Sequence, residues 1–283
     1  MRKYPEKYLE VLKNEVNIIE SNGVKIIFKP SPGEKRDGYL DPCEKEIMDG
    51  HWASKSNDKE ENQKDVKENV DKSMENDEMT TLDMVISTIR DSMGFPNYNL
   101  NTVEIYTKFE TITDSGNEVG LWRYYPRNLD RNKNNKALVF FHGGGWIGGT
   151  TYVVENFCKL IAEKANCVVF NVDYSLDPEK PYPNGLNDNY YAVKHIYDNA
   201  EKYRIDKMAV AGDSAGGNYT AAISLKARDE EVPMIALQVL IYPAVAIGNA
   251  CVQGYKWSED MIEIATELEE KVRPLTGLGR PSK

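Results

Sequence analysis

The sequence predicts an α/β protein built on a mostly parallel, doubly wound sheet. Short apolar runs stand at Ala137–Phe141, Cys167–Val172, Met208–Ala211 and Leu237–Tyr242, the pattern of strands buried on both faces. Helix-patterned stretches separate them at Val153–Ala165, Leu186–Tyr203 and Ala215–Ala227. Strand and helix in strict alternation call for crossover connections and helices on both sides of the sheet. A chain of 283 residues with 41% hydrophobic content suffices for one large domain of this kind.

Taken in order, residues 1–20 read as an amphipathic helix with Leu9, Leu12, Val16 and Ile19 on one stripe, followed by a short strand at Val24–Phe28. From about residue 34 to 79 the composition shifts. Lys55–Glu78 is a mostly charged tract whose large apolar residues are Val66, Val70 and Met74. It reads either as a disordered insertion or as a solvated helix laced with charge pairs. Thr80 and Asp83 resemble a helix-start cap, and Leu82, Val85, Ile86 and Ile89 follow at helical spacing. Val103–Phe109 alternates like a strand, Asp114-Ser115-Gly116-Asn117 is a turn, and Val119–Tyr125 is the returning strand. The regular strand and helix series then runs to Tyr242, and Ser258 opens a last helix carrying Ile262, Ala265, Leu268 and Val272. Residues 1–98 therefore read as an N-terminal cap-like segment and 99–283 as the core.

Composition removes several classes of function. A net charge of −10 disfavours nucleic acid and anionic membrane surfaces, which need clustered Lys and Arg. No apolar stretch approaches the roughly 20 residues that span a bilayer. The start, Met1-Arg2-Lys3-Tyr4, has no apolar signal core behind it. Cys43, Cys158, Cys167 and Cys251 lack metal-ligand or disulfide-framework spacing, which points to reduced thiols, no zinc site and a cytoplasmic protein. Nothing in the sequence sets an oligomeric state.

Two glycine motifs carry the chemistry. Gly212-Asp213-Ser214-Ala215-Gly216 lies between the apolar strand 208–211 and an apolar helix. A Gly-x-Ser-x-Gly match alone is weak, but that placement is the one a nucleophile elbow requires. Gly212 and Gly216 remove side chains that would clash in the sharp turn, and Ser214 Oγ then projects beside a helix N-terminus that favours negative charge. His142-Gly143-Gly144-Gly145-Trp146 directly follows the strand ending at Phe141. Glycine N–H groups are unhindered, and acyl transfer needs such donors about 3 Å from the developing oxyanion. Two N–H groups from Gly143, Gly144 and Gly145, with that of Ala215, would form the hole. A phosphate loop would end in Gly-Lys-Ser/Thr, which Trp146-Ile147-Gly148 does not supply. His142, Trp146 and Asp213 are read as supporting residues, with His142 holding the loop.

With these motifs the chain resembles the hormone-sensitive-lipase-like esterases of the α/β-hydrolase superfamily, the acetyl esterase group. Asp173-Tyr174-Ser175-Leu176-Asp177-Pro178-Glu179 is similar to that family's Asp-Tyr-Arg-Leu-Ala-Pro-Glu stretch, with Ser175 and Asp177 departing from it, and Ile241-Tyr242-Pro243 also fits. The resemblance covers about residues 100–245. It implies an α/β-hydrolase fold, hydrolysis of small carboxylic esters on short acyl chains, no metal or organic cofactor, and an N-terminal segment that contributes to a cap.

One element of that chemistry has no candidate. The superfamily orders its triad Ser, Asp/Glu, His, and a serine hydroxyl needs an imidazole to accept its proton. The three histidines, His51, His142 and His195, all precede Ser214. Asp260 and Glu263 follow it on an expected solvent-facing helix and are poor substitutes. Arg273–Gly279 resembles the family segment that precedes the seventh strand, so the sequence reads as lacking the last two strands together with the triad acid and base. Three readings stand open: a truncated esterase with little activity, a non-catalytic receptor-like relative that binds a small ligand, and a chain completed by another polypeptide.

Overall fold

A computed structural model of the protein describes residues 5–21, 24–28, 81–93 and 97–245 other than 115, with single positions at 32, 42, 45 and 46. The chain divides into two units, Met1–Met84 with Gly248–Lys283, and Val85–Ile247. The charged tract, the helix expected from Ser258, and His51, Asp260, Glu263 and 273–279 lie outside the described residues.

In the first unit the expected N-terminal helix is shorter than its pattern. Helix α1 (Glu6–Asn14) gives way to strand β1 (Asn17–Ser21), which pairs antiparallel with β2 (Val24–Phe28), Ser21 opposite Val24. The β-branched pair Ile18-Ile19 favours strand. Asn22-Gly23 between the two runs is the dipeptide of a two-residue hairpin, a signal that the helical stripe ending at Ile19 overrode.

Helix α2 (Thr81–Ser92) leads into the second unit. Its sheet contains β3 (Ile105–Asp114), β4 (Asn117–Pro126), β5 (Asn135–Phe141), β6 (Val168–Asp173), β7 (Ile205–Asp213) and β8 (Leu237–Ile241). The spatial order is β3-β4-β6-β5-β7-β8. β3, β4 and β6 pair antiparallel, and β6, β5, β7 and β8 pair parallel. The crossovers carry α3 (Glu155–Lys164), α4 (Asn184–Asp198), the short α5 (Ala200–Tyr203) and α6 (Ala215–Asp229). The single helix expected over 186–203 is broken at Asn199, whose amide Nδ2 donates to the carbonyl of His195 at 2.9 Å, a local bond that competes with helix continuation.

The two-residue period of β5 sorts its side chains into two cores. Val139 and Phe141 join Phe170, Val172, Val193, Ile196 and Ile223 beneath α4 and α6. Leu138 and Phe140 join Val169, Ala211, Cys158 and Ala162 beneath α3. Each large apolar side chain so buried contributes about 1.5–3 kcal/mol. Helices thus cover both faces, and β5 and β7 lie side by side at the sheet's centre. β8 is the outer strand of the described sheet, with Leu237, Val239 and Leu240 exposed.

Candidate active site

Adjacent parallel strands deliver the two glycine motifs to one place. Phe141 and Gly212 are register partners at the carboxyl ends of β5 and β7, the edge at which open α/β sheets bind ligands. β7 ends at Asp213 and α6 begins at Ala215, so Ser214 alone makes the turn, with φ 51° and ψ −115°. That conformation is strained for an L residue. It is held from both sides: the Ser214 N–H donates to Ile241 O at 3.0 Å, and the Ser214 carbonyl accepts from Asn218 N at 3.0 Å and Ala244 N at 3.1 Å. The flanking glycines make the turn sterically possible. A Cβ on Gly216 would stand 2.0 Å from Phe141 O, and one on Gly212 would stand 2.3 Å from Gly216 O. Ser214 Oγ makes no capping bond to its own helix.

The glycine loop packs against this elbow. The N–H of Gly143 donates to Asp213 Oδ1 at 2.9 Å, so of the four donors expected from sequence it is already engaged. Among the described residues the N–H groups of Gly144, Gly145 and Ala215 have no acceptor. Gly144 needs to be glycine twice over: its φ is 137°, and a Cβ there would lie 2.0 Å from Gly148 O. The Gly144 carbonyl accepts from Gly148 N at 2.9 Å and Ile147 N at 3.3 Å, which folds residues 144–148 into a tight turn.

His142 lies beneath the loop, fully buried, its ring stacked on Tyr174 with centroids 4.3 Å apart. Tyr174 Oη donates to His142 O at 2.6 Å. Burial lowers the imidazole pKa to about 4, so the ring is neutral at pH 7. Nδ1 sits 2.8 Å from Gly143 O, the partner of an Nδ1–H donor. Asp213 is held above the usual carboxylate value by burial, against the bond from Gly143.

The structure separates His195 from this site. Its Nε2 lies 3.3 Å from Tyr203 Oη, just before β7 starts. The nine residues of β7 then carry the chain about 30 Å to the elbow. Burial and nearby Lys202 depress its pKa. Among the described residues neither histidine is hydrogen-bonded to Ser214.

The 173–183 loop borders the glycine loop, with Asp177 N donating to Trp146 O at 2.9 Å. Ser175 N donates to Asp188 Oδ2 at 2.9 Å, which ties the loop to α4. Beside it opens a cavity of about 670 Å³ lined by Arg90, Met93, Thr150, Tyr152, Asp173 and Leu176, among others. Ser214 is not among its lining residues, so the cavity does not enclose the elbow. Arg90 reaches this region from α2. Sequence reading missed it, because its partners lie 57 to 89 residues away and no local pattern marks it.

Residues 138–270 match the family described as alpha/beta hydrolase fold. Esterase LipI of Mycobacterium tuberculosis is 35% identical over 128 residues, which cover 44% of this chain and 40% of its own. An arylesterase of Saccharolobus solfataricus is 38% identical over 122 residues, covering 42% of this chain and 40% of its own. Among solved structures, an esterase from a study of two fungal esterases of Rhizomucor miehei superposes with a TM-score of 0.51 at 31% identity, over 58% of this chain and 53% of that one. The chain has the α/β-hydrolase fold. Within that fold it is similar to esterases. It spans about two fifths of the length of these curated relatives.

Proposed function

We propose that the chain carries the nucleophile and oxyanion-hole half of a serine esterase acting on small carboxylic esters of short acyl chains. The carrying observation is the juxtaposition of the strained Ser214 turn with a glycine loop whose Gly144 and Gly145 N–H groups have no acceptor among the described residues. In the proposed reaction Ser214 Oγ bonds to the acyl carbon, the alcohol leaves with a proton, and water then releases the acid. The N–H groups of Gly144, Gly145 and Ala215 receive the oxyanion, and the N-terminus of α6 adds its partial positive charge. Gly143 and Asp213 hold the loop to the elbow, and His142 and Trp146 support it. The mechanism asks for no metal or organic cofactor.

A base for Ser214 has no candidate among the described residues, and every histidine in the sequence precedes the nucleophile. We therefore expect residues 1–283 to hydrolyse p-nitrophenyl acetate barely above background, with Ser214→Ala changing little. Robust turnover abolished by that substitution would sink this part of the reading. The same missing base favours a second reading, in which the site binds a small ester-like or acidic ligand without turnover. Saturable binding of such a ligand that Ser214→Ala leaves intact, with no acyl-enzyme by mass spectrometry, would select it.

A further inference from the structure

Arg90 spends almost its entire guanidinium on two loops. Nε donates to Ile147 O at 2.7 Å, Nη2 to Asp177 O at 3.0 Å, and Nη1 and Nη2 pair with the two oxygens of Glu179 at 2.7 Å each. Four of the five N–H donors of an arginine are thereby used. A bidentate pair with two further carbonyl contacts defines an orientation as well as an attraction. The Arg90 hydrogen bonds hold the Glu179 carboxyl down at about 2, so the pair stays ionised throughout the working range. Neighbouring Met93 presses on the same turn: a Cβ on Gly148 would lie 2.4 Å from Met93 Sδ. The ion pair is about a third exposed on the arginine side and more on the glutamate side, and partly exposed pairs add little to stability. The interest of the contact lies in what it aims.

A peptide unit is planar and trans, so its C=O and N–H point in opposite directions. Ile147 O and the Gly148 N–H belong to one such plane, and Arg90 holds its oxygen. The Gly148 N–H in turn holds Gly144 O. Gly144 O shares its plane with the Gly145 N–H. Two rigid planes therefore link the Arg90 guanidinium to the direction in which the Gly145 N–H points. We infer that Arg90 is a positioning residue for the oxyanion hole, aiming the Gly145 N–H through the 147–148 and 144–145 peptides. The inference rests on the esterase reading for what that N–H serves, and on the hydrogen bonds alone for how it is aimed.

The test uses the whole chain, with the Gly145 amide assigned in ¹H–¹⁵N spectra. In Arg90→Ala the Gly145 resonance should move and broaden while amides in β5 and β7 stay in place. Arg90→Lys, which can reach Ile147 O with one donor, should restore it in part. If Arg90→Ala does not fold, Glu179→Gln, which loosens the fork and keeps the arginine, should move the same resonance in the same direction. An unmoved Gly145 signal in the folded variant overturns the inference, whatever happens to the melting point. A moved Gly145 signal, with saturable binding of an ester-like ligand that Ser214→Ala leaves intact and no acyl-enzyme by mass spectrometry, leaves the positioning standing and removes the esterase reading instead.

Discussion

Gly143 donates its N–H to Asp213 Oδ1 across 2.9 Å, and this one bond joins the glycine loop to the residue just before Ser214. It also settles the fate of a donor that the glycine run alone would leave free. The acceptor is a carboxylate in a poor place for charge, since burial raises its pKa above the ordinary 3.8. A group whose folded pKa is raised contributes stability at low pH that is lost as pH climbs through the folded value.

Asp213→Asn keeps an oxygen acceptor for Gly143 and discards the charge. It should be at least as stable as the wild type at pH 7, with an advantage that shrinks as pH falls through the raised carboxylate value. Asp213→Ala leaves the Gly143 N–H unpaired and should cost about 1–3 kcal/mol. Urea denaturation of the three proteins at pH 7 and pH 4 checks both directions.

Protonating His142 means charging a fully buried ring. Its pKa drops from 6.5 to about 4, so its contribution to stability is complete above 6.5 and is lost as pH falls toward 4. The loss should approach about 3 kcal/mol, at 1.36 kcal/mol for each unit. His142→Gln should flatten that part of the stability profile between pH 7 and 4; a profile that keeps its full slope in this variant would contradict the assignment.

The glycines should differ sharply in tolerance. Gly216→Ala drives a methyl to 2.0 Å from Phe141 O and should cost about 3 kcal/mol or more through forced backbone movement. Among the described residues Gly145→Ala meets nothing nearer than 4.0 Å, so its cost is that of a φ of 61°, roughly 1–2 kcal/mol. Equal losses in thermal melts would mean that close packing does not separate the two positions.

Ser214→Gly should stabilise the protein by about 1 kcal/mol. The turn at φ 51° suits glycine, and a strained backbone of this type costs about 1–3 kcal/mol, part of which glycine returns as unfolded-state entropy. Ser214→Ala, which keeps the Cβ, should melt close to wild type. A melting point for the glycine variant below that of the alanine variant would argue against strain at this residue.

Features whose causes are local in the chain were legible in advance. The two glycine motifs, the strands at 137–141 and 208–211 and the helix after Ser214 depend on neighbours within a few residues. Strand β1 was misread because the stripe Leu9, Leu12, Val16, Ile19 fits a helix and outweighs the opposing local signals of Ile18-Ile19 and Asn22-Gly23, whereas pairing with β2 decides for strand at Asn17–Ser21. The break at Asn199 turns on one side-chain bond that periodicity does not register. Arg90 had no signal at all: a lone arginine on a helix usually faces water, and what distinguishes this one is a carbonyl and a carboxylate supplied by loops far along the chain. The engagement of Gly143 likewise required knowing that β5 and β7 are neighbours.

The Ser214 main chain takes its acceptor from Ile241 and one of its donors from Ala244, more than twenty residues downstream of the motif. A fragment ending at Ala236 would retain Gly-x-Ser-x-Gly letter for letter and lose the bonds that bend it. Motif scanning and elbow formation are therefore separate facts. In chains of this type, the segment after the outer strand is the place to look when a recognisable nucleophile sequence fails to behave as one.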